Sequence, residues 1–147
     1  MNVKLYGEGP LVLVDDDPLD FAIASRCMRR SRVEHELLHF ASGDALVSYL
    51  RDVAAGTADR PALVLVDINM PRMDGHETVA AVRRLPAFRT LPIIAMLTSS
   101  MDPEDHRKAE ANGVDGYFQK PLGMQGYIDF FNSLIPEDEA TANAIAC

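Results

Sequence analysis

The sequence predicts an α/β protein built on a doubly wound, five-stranded parallel sheet. Short apolar segments alternate along the chain with amphipathic segments of helical period, which gives five βα units. The apolar segments are also nearly continuous, as from Leu63 to Val66, and this is typical of strands that are covered by helices on both faces. We therefore expect a three-layer αβα sandwich.

The five units follow one another without an internal repeat or a low-complexity linker. Strands are predicted near residues 11–14, 35–40, 62–66, 92–97 and 115–119, and helices near residues 18–31, 43–55, 75–85, 103–112 and 122–135. Asp17-Pro18 and Asp102-Pro103 suit helix N-termini, because an Asp side chain can cap the first turn and proline fits its first position. Asn112-Gly113 suits a helix C-terminus.

The order of the strands follows from their polarity. Strand two, from His35 to Phe40, is more polar than the others and is expected at an edge of the sheet. Right-handed crossovers then give the order 2-1-3-4-5, the flavodoxin-like arrangement, in which the winding reverses between strands one and three. This order places Asp15-Asp16, after strand one, beside Asp67, after strand three.

Length and charge narrow the class of protein. The 147 residues suffice for one domain with its own core, expected in residues 1–136, followed by an acidic, Ala-rich tail in residues 137–147 and no output domain. The net charge of −8 argues against direct binding of nucleic acid. We expect no membrane span and no signal peptide, and therefore a cytoplasmic location. Cys27 is expected in the core, and Cys147 has no partner at disulfide or metal-ligand spacing.

Polar side chains stand where four of the predicted strands end. Asp15-Asp16 follows the first strand, Asp67 the third, Thr98 the fourth and Lys120 the fifth. In a parallel sheet these ends share one edge, and ligands bind in the crevice outside the carboxyl ends of the strands. The sequence therefore predicts a site that combines carboxylates, a hydroxyl and an ammonium group.

These groups suit phosphoryl transfer. Three neighbouring carboxylates repel one another, and a divalent cation relieves that repulsion; carboxylate and carbonyl oxygens are the ligands that Mg²⁺ prefers. Lys120 and Thr98 could each bond a phosphoryl oxygen. Asp67 would be the nucleophile, as in enzymes that form aspartyl-phosphates.

The ordered set of Asp15-Asp16, Asp67, Thr98 and Lys120-Pro121 resembles that of response-regulator receiver domains of two-component signalling, of the single-domain chemotaxis-regulator type. The resemblance covers about residues 10–135. It implies that Asp67 accepts a phosphoryl group from a histidine kinase and that Thr98 and Tyr117 are the switch residues. It also implies a cis Lys120-Pro121 peptide, and Mg²⁺ held by Asp16, Asp67, the Asn69 carbonyl and, through water, Asp15.

Within this family the chain is similar to the stand-alone regulators that are paired with bacteriophytochrome kinases. The similarity rests on the Leu97-Thr98-Ser99-Ser100 and Lys120-Pro121-Leu122 contexts and on the length of the chain. It implies output by contact with a downstream protein or a phosphotransfer protein, and no enzyme activity beyond self-phosphorylation and self-dephosphorylation. Ser100 stands where many receivers carry an acidic or larger residue.

Two other functions use a comparable set of residues. A phosphatase of the haloacid dehalogenase type needs a second Asp two residues after its nucleophile, where this chain has Asn69, which cannot titrate. Its acidic pair also normally comes last in the chain rather than first. A pseudo-receiver, which binds partners without phosphate, usually lacks an acid or the lysine, and none is missing here.

The last predicted helix carries two apolar stripes. Met124, Ile128, Phe131 and Ile135 form one, which we expect to face the core. Tyr127, Phe130 and Leu134 form the second, which we expect to be a surface for a homodimer.

Overall fold

The computed structural model describes residues 3–136. It contains a five-stranded parallel sheet in the order β2-β1-β3-β4-β5, which confirms the predicted fold. The strands are β1 (Leu11–Val14), β2 (Leu37–Phe40), β3 (Leu63–Val66), β4 (Ile94–Thr98) and β5 (Gly116–Gln119). The helices are α1 (Pro18–Arg30), α2 (Gly43–Ala54), α3 (Gly75–Arg84), α4 (Pro103–Ala111) and α5 (Gly123–Ser133), with a 3₁₀ turn at Pro86–Phe88. The predicted tail, residues 137–147, lies outside the described residues.

The core is divided by the sheet into two layers, because successive side chains of a strand point to opposite faces. Leu11 and Leu13 pack on one face with residues of α1 and α5, including Cys27, which is fully buried as predicted. Val12 and Val14 pack on the other face with residues of α2, α3 and α4. All four β1 and all four β3 side chains are buried, whereas β2 is only half-buried, as expected of an edge strand.

The helix starts have the predicted chemistry. The Asp17 side chain accepts a hydrogen bond from the Leu19 backbone N–H, with Pro18 in the first turn, and Asp102 caps α4 in the same way. The α3 helix begins with a capping box in which Asp74 and Glu77 each accept a hydrogen bond from the other's backbone N–H. These caps fix where each helix begins, and so hold the loops that lead into α1, α3 and α4. Within residues 3–136 no helix is both long and apolar enough to cross a membrane.

The expectation for the faces of α5 was wrong. Tyr127 and Leu134, assigned to an exposed second stripe, are 6% and 0% exposed and belong to the core, together with Phe131. Phe130 is half-buried against Phe118 and Phe131, with ring centroids 5.1 and 5.5 Å away. These side chains pack α5 against the core and so do not form an exposed stripe. Self-association itself stays a prediction.

The Lys120-Pro121 peptide also differs from expectation. The cis bond in residues 3–136 is Leu91-Pro92, and Lys120-Pro121 is trans. The prediction rested on the resemblance alone, and the trans isomer is the one that an X-Pro bond intrinsically favours.

Candidate functional site

The acidic residues meet because β1 and β3 pair in register. Val14 lies opposite Val66, so the next residues, Asp15 and Asp67, leave the two strands side by side. The Asp67 N–H donates to the Val14 carbonyl at 2.9 Å, and the Asp15 N–H donates to the Phe40 carbonyl at 3.1 Å. These backbone bonds hold the positions of both carboxylates.

The predicted acidic trio forms one cluster. Carboxylate oxygens of Asp15, Asp16 and Asp67 all lie within 4.8 Å of one another. Asp15 and Asp67 are 1% and 6% exposed, while Asp16 is open to solvent. The trio is therefore buried on one side and accessible on the other, as a site for a soluble ligand requires. Asn69, the fourth predicted ligand, lies exposed in the loop that follows Asp67.

Lys120 reaches this cluster from the end of β5. Its Nζ atom donates to Asp67 Oδ2 at 3.0 Å and to Asp15 Oδ2 at 2.9 Å. The shortest of its three bonds, 2.6 Å, goes to Asp20 Oδ2 in the first turn of α1. The ammonium group thus joins three carboxylates from three different elements.

Asp20 was missed by reasoning from the sequence. An acidic residue in the first turn of a helix is ordinarily explained by the helix dipole, and Asp20 fits that description. The available signal is its place in the chain: Asp20 lies in the first turn of the helix that directly follows Asp15-Asp16, so it starts near the strand ends. The contact with Lys120 makes Asp20 part of the site.

Burial and neighbouring charges shift the pKa values of the clustered groups. Burial raises the pKa of Asp15 above its usual value, despite hydrogen bonds from the Asp17 N–H and from Lys120 that lower it, and the negative charge of Asp67 raises it further. Burial by itself lowers the pKa of Lys120, but hydrogen bonds to Asp20 and Asp15 and the charge of Asp67 outweigh burial and raise it. Lys120 therefore stays charged, yet one ammonium is too little for the carboxylates around it.

The residues present fit a divalent cation. The Asp67 Oδ1 atom is buried and has no hydrogen-bond partner within residues 3–136, although an ionised carboxylate oxygen is a strong acceptor. It belongs to the same trio of carboxylates, whose hard oxygen atoms suit Mg²⁺ or a similar ion. A cation at this point would bind the unpartnered Asp67 Oδ1 atom and relieve the repulsion between Asp15 and Asp67.

The two predicted switch residues lie on neighbouring strands beside the cluster. Thr98 is fully buried at the end of β4, and its Oγ1 atom accepts a hydrogen bond from the Ser100 N–H at 3.2 Å. Tyr117, half-buried in β5, donates its hydroxyl to the Ser100 carbonyl at 3.3 Å. Ser100 therefore contacts both predicted switch residues, a role that the sequence did not indicate.

Comparison with known proteins agrees with this geometry. The response regulator receiver domain family matches residues 11–130. Response regulator Rcp1 of Synechocystis sp. is 29% identical over 116 residues, which cover 78% of each chain. The crystal structure of the phosphorylated cyanobacterial phytochrome response regulator RcpA is similar with a TM-score of 0.75 at 25% identity, over 87% of this chain and 91% of that one. Response regulator RPA3017, in red light signalling of R. palustris, has a TM-score of 0.74 at 29% identity, over 85% and 90% of the two chains.

The chain belongs to the family of response regulator receiver domains. Receiver domains are generally signalling modules rather than enzymes; they interact with histidine kinases and downstream targets and bind a divalent metal at their acidic cluster. Family membership also excludes the haloacid dehalogenase type of phosphatase as the class of this chain.

Proposed function

We propose that the protein is a single-domain response regulator that accepts a phosphoryl group from a histidine kinase on Asp67 and signals by protein contact. The observation that carries the proposal is the state of the Asp67 carboxylate: Lys120 holds one oxygen at 3.0 Å, and the other oxygen has no partner among the described residues. A carboxylate that is fixed at one oxygen and lacks a hydrogen-bond partner at the other, buried oxygen retains bonding capacity for a cation or a reactant. On this proposal residues 1–136 form the receiver domain and act in the cytoplasm, where ATP phosphorylates the histidine kinase.

In the proposed reaction an Asp67 oxygen attacks the phosphorus atom of a phosphohistidine. The new O–P bond forms as the N–P bond breaks, and the electron pair of that bond stays on the imidazole nitrogen of the kinase. Lys120 orients the carboxylate before the attack and stabilises the added negative charge after it. Mg²⁺, held by Asp16, Asp67, the Asn69 carbonyl and, through water, Asp15, would neutralise charge on the transferred group.

The surface around the site suits a protein as the phosphoryl donor. Leu19, next to Asp20, is 72% exposed, and Ile23, one turn further along α1, is 45% exposed. Leu122, two residues after Lys120, is 95% exposed. Exposed apolar side chains of this size beside a charged site are typical of protein contact surfaces. A histidine kinase fits such a surface better than a small phosphate ester does.

The similarity to RcpA and RPA3017 supports a more specific donor. One is a phytochrome response regulator, and the other acts in red light signalling. We propose a bacteriophytochrome kinase as the partner on this basis, together with the sequence contexts of Thr98 and Lys120. A purified phytochrome-type kinase that labels this protein faster than unrelated histidine kinases do would support the pairing.

Phosphorylation at Asp67 is tested by intact-mass measurement after incubation with acetyl phosphate and Mg²⁺. We expect the wild-type protein to gain the mass of one phosphoryl group, and Asp67→Asn to gain none, because the amide is not a nucleophile. Asp52→Asn, at an exposed position on α2, is the matched control and should be labelled like the wild type. Equal labelling of wild type and Asp67→Asn would refute the site, and an unlabelled wild type would favour a phosphate-independent module.

A second prediction concerns the metal. Asp16→Asn removes a proposed ligand and should weaken Mg²⁺ binding at least about tenfold, which corresponds to ~1.4 kcal/mol. Asp17→Asn is the control, because Asn caps a helix about as well as Asp and the Asp17 side chain bonds Leu19 rather than the site. Calorimetric titration compares the two; similar affinities would mean that Asp16 is not a ligand.

A further inference from the structure

A chain of polar contacts joins α3 to α4 beside the phosphorylation site. The Nε2 atom of His76, in the first turn of α3, lies 3.0 Å from Asp105 Oδ1 in α4. A carboxylate oxygen only accepts, so Nε2 is the donor. The other oxygen, Asp105 Oδ2, accepts a hydrogen bond from the Ser100 hydroxyl at 2.5 Å. Asp105 thus binds one partner on each side.

The Ser100 end of this chain leads to both switch residues. The Ser100 N–H donates to the Thr98 hydroxyl oxygen, and the Ser100 carbonyl accepts from the Tyr117 hydroxyl. The Ser100 hydroxyl oxygen also accepts from the Asp102 N–H at 3.3 Å. The N–H, carbonyl and hydroxyl groups of Ser100 therefore all form hydrogen bonds. The position of Ser100 determines where its N–H meets Thr98 Oγ1 and where its carbonyl meets the Tyr117 hydroxyl.

The His76 end leads to the Asp67 loop. His76 is 8% exposed and follows Gly75, whose N–H donates to the carbonyl of Ile68, the residue after Asp67, at 2.8 Å. The hydrogen bonds from Ser100 and from His76 lower the pKa of Asp105, so Asp105 is ionised and both bonds are charge-assisted. Bonds of this kind are stronger than those between neutral groups, so His76 and Asp105 form a strong polar link between α3 and α4.

We propose that Asp105, held by His76, is a positioning residue that fixes Ser100 and through it sets the Thr98 hydroxyl and the Tyr117 ring for the response to phosphorylation. The role rests on the proposed phosphorylation of Asp67. With its oxygen occupied by the Ser100 N–H, the Thr98 hydroxyl keeps its own hydrogen free to donate to a phosphoryl oxygen. Asp105 touches no reacting atom and acts only through Ser100.

The first test needs no phosphoryl group. In Asp105→Ala, NMR of the unphosphorylated protein should show shifted Thr98 methyl signals and averaged χ1 couplings for Tyr117. The ratio of Tyr117 bonded to Ser100 to Tyr117 not bonded should fall at least about tenfold, as expected for losing a hydrogen bond to a charged group. Glu104→Gln is the matched control: it removes a charge from the same helix turn, where the Glu104 side chain forms an ion pair with the exposed Arg107 and is not part of the link to Ser100. Signals that are unchanged in Asp105→Ala, or equally changed in the control, would overturn the proposal.

The second test separates positioning from general damage. Asp105→Ala should slow labelling by acetyl phosphate roughly tenfold with Mg²⁺ affinity unchanged, and Asp105→Asn, which can still bond both neighbours, should recover most of the rate. The double variant Ser100→Ala, Asp105→Ala should be labelled no more slowly than the slower of the two single variants, because both substitutions break the same hydrogen bond between Ser100 and Asp105. Additive effects, or no recovery in Asp105→Asn, would count against the proposal. Labelling of the wild type tests the proposed function separately.

Discussion

In the Lys120→Met variant we expect the free energy of unfolding at neutral pH, without divalent ions, to fall by about 3 kcal/mol, since removing one partner of a buried ion pair leaves an uncompensated charge. Methionine keeps the unbranched stem but removes the cation that Asp15, Asp20 and Asp67 share. The side chains of Asp15 and Asp67 are only 2% and 9% exposed, so water cannot replace the lost bonds. Urea unfolding measures the loss.

The pH dependence of that loss identifies its cause. Burial and the charge of Asp67 already raise the pKa of Asp15, and removing Lys120, which lowers it, raises it further. A carboxyl whose pKa is higher in the folded than in the unfolded state favours folding as protons are added, and this contribution disappears as pH rises through the folded-state pKa. The difference in stability between variant and wild type should therefore shrink as pH falls from 7 toward the raised pKa of Asp15. A difference that stays the same on acidification would show that lost packing, not charge, explains the effect.

Magnesium gives a second check on the same variant. Lys120 and a metal ion compete for the same carboxylates, so Mg²⁺ should stabilise Lys120→Met more than the wild type, through tighter binding to the folded state. Lys108→Met, at an exposed position on α4, is the control and should change neither stability nor Mg²⁺ affinity. Equal stabilisation of all three proteins by Mg²⁺ would contradict competition at the site.

The same variant should also lose the link between phosphate and conformation. A ligand shifts a two-state equilibrium only through contacts that differ between the two states, and Lys120 is the cation positioned to sense added negative charge at Asp67. Beryllofluoride, a phosphoryl mimic, should move the NMR signals of Thr98 and Tyr117 in the wild type and much less in the variant. Equal shifts in both would show that the signal reaches Thr98 without Lys120.

The sequence predicted that Asp15, Asp67 and Lys120 come together, because each strand end is marked by a local pattern. An apolar run followed by a polar residue marks a strand end, and parallel order then brings Asp15 and Asp67 together without further information. Contacts that depend on the exact rotation of a helix were not predictable in this way. Asp20 meets Lys120, and Asp105 meets His76, only once α1, α3 and α4 have packed on the sheet.

The α5 helix shows why a periodic pattern can mislead. Tyr127, Phe131 and Leu134 have helical spacing, and so do Ile128, Phe131 and Ile135; the two sets share Phe131. The sequence contains no signal that chooses between them. The structure buries Tyr127 and Leu134 and leaves Ile128 and Ile135 partly exposed, because the rotation of α5 is set by how its side chains fit those of β5 and α1.

Besides Lys120→Met, we expect a large effect from Gly75→Ala, which should change the geometry of the site more than the stability of the fold. Gly75 begins α3 and lies directly against the backbone of Asp67, the proposed phosphorylation site: an added Cβ would collide with the Asp67 carbonyl oxygen and lie 2.7 Å from the Ile68 Cα atom. Both obstacles are backbone atoms, which cannot rotate away as a side chain can. The loop after β3 must therefore move, and Asp67 with it.

A displacement of that kind is costly to a reaction that depends on positioning. Misplacing a reacting group by about 1 Å can cost on the order of 10²-fold in rate, so we expect Gly75→Ala to be labelled by acetyl phosphate at least tenfold more slowly and to bind Mg²⁺ more weakly. Gly126→Ala is the matched control. Its added Cβ would lie 3.3 Å from the Pro121 Cβ atom, a side-chain contact, and Ala in place of a mid-helix Gly contributes about 0.5–1 kcal/mol of stability. If Gly75→Ala were labelled as fast as Gly126→Ala, the close approach of α3 to the Asp67 backbone would not be what holds the carboxylate in place.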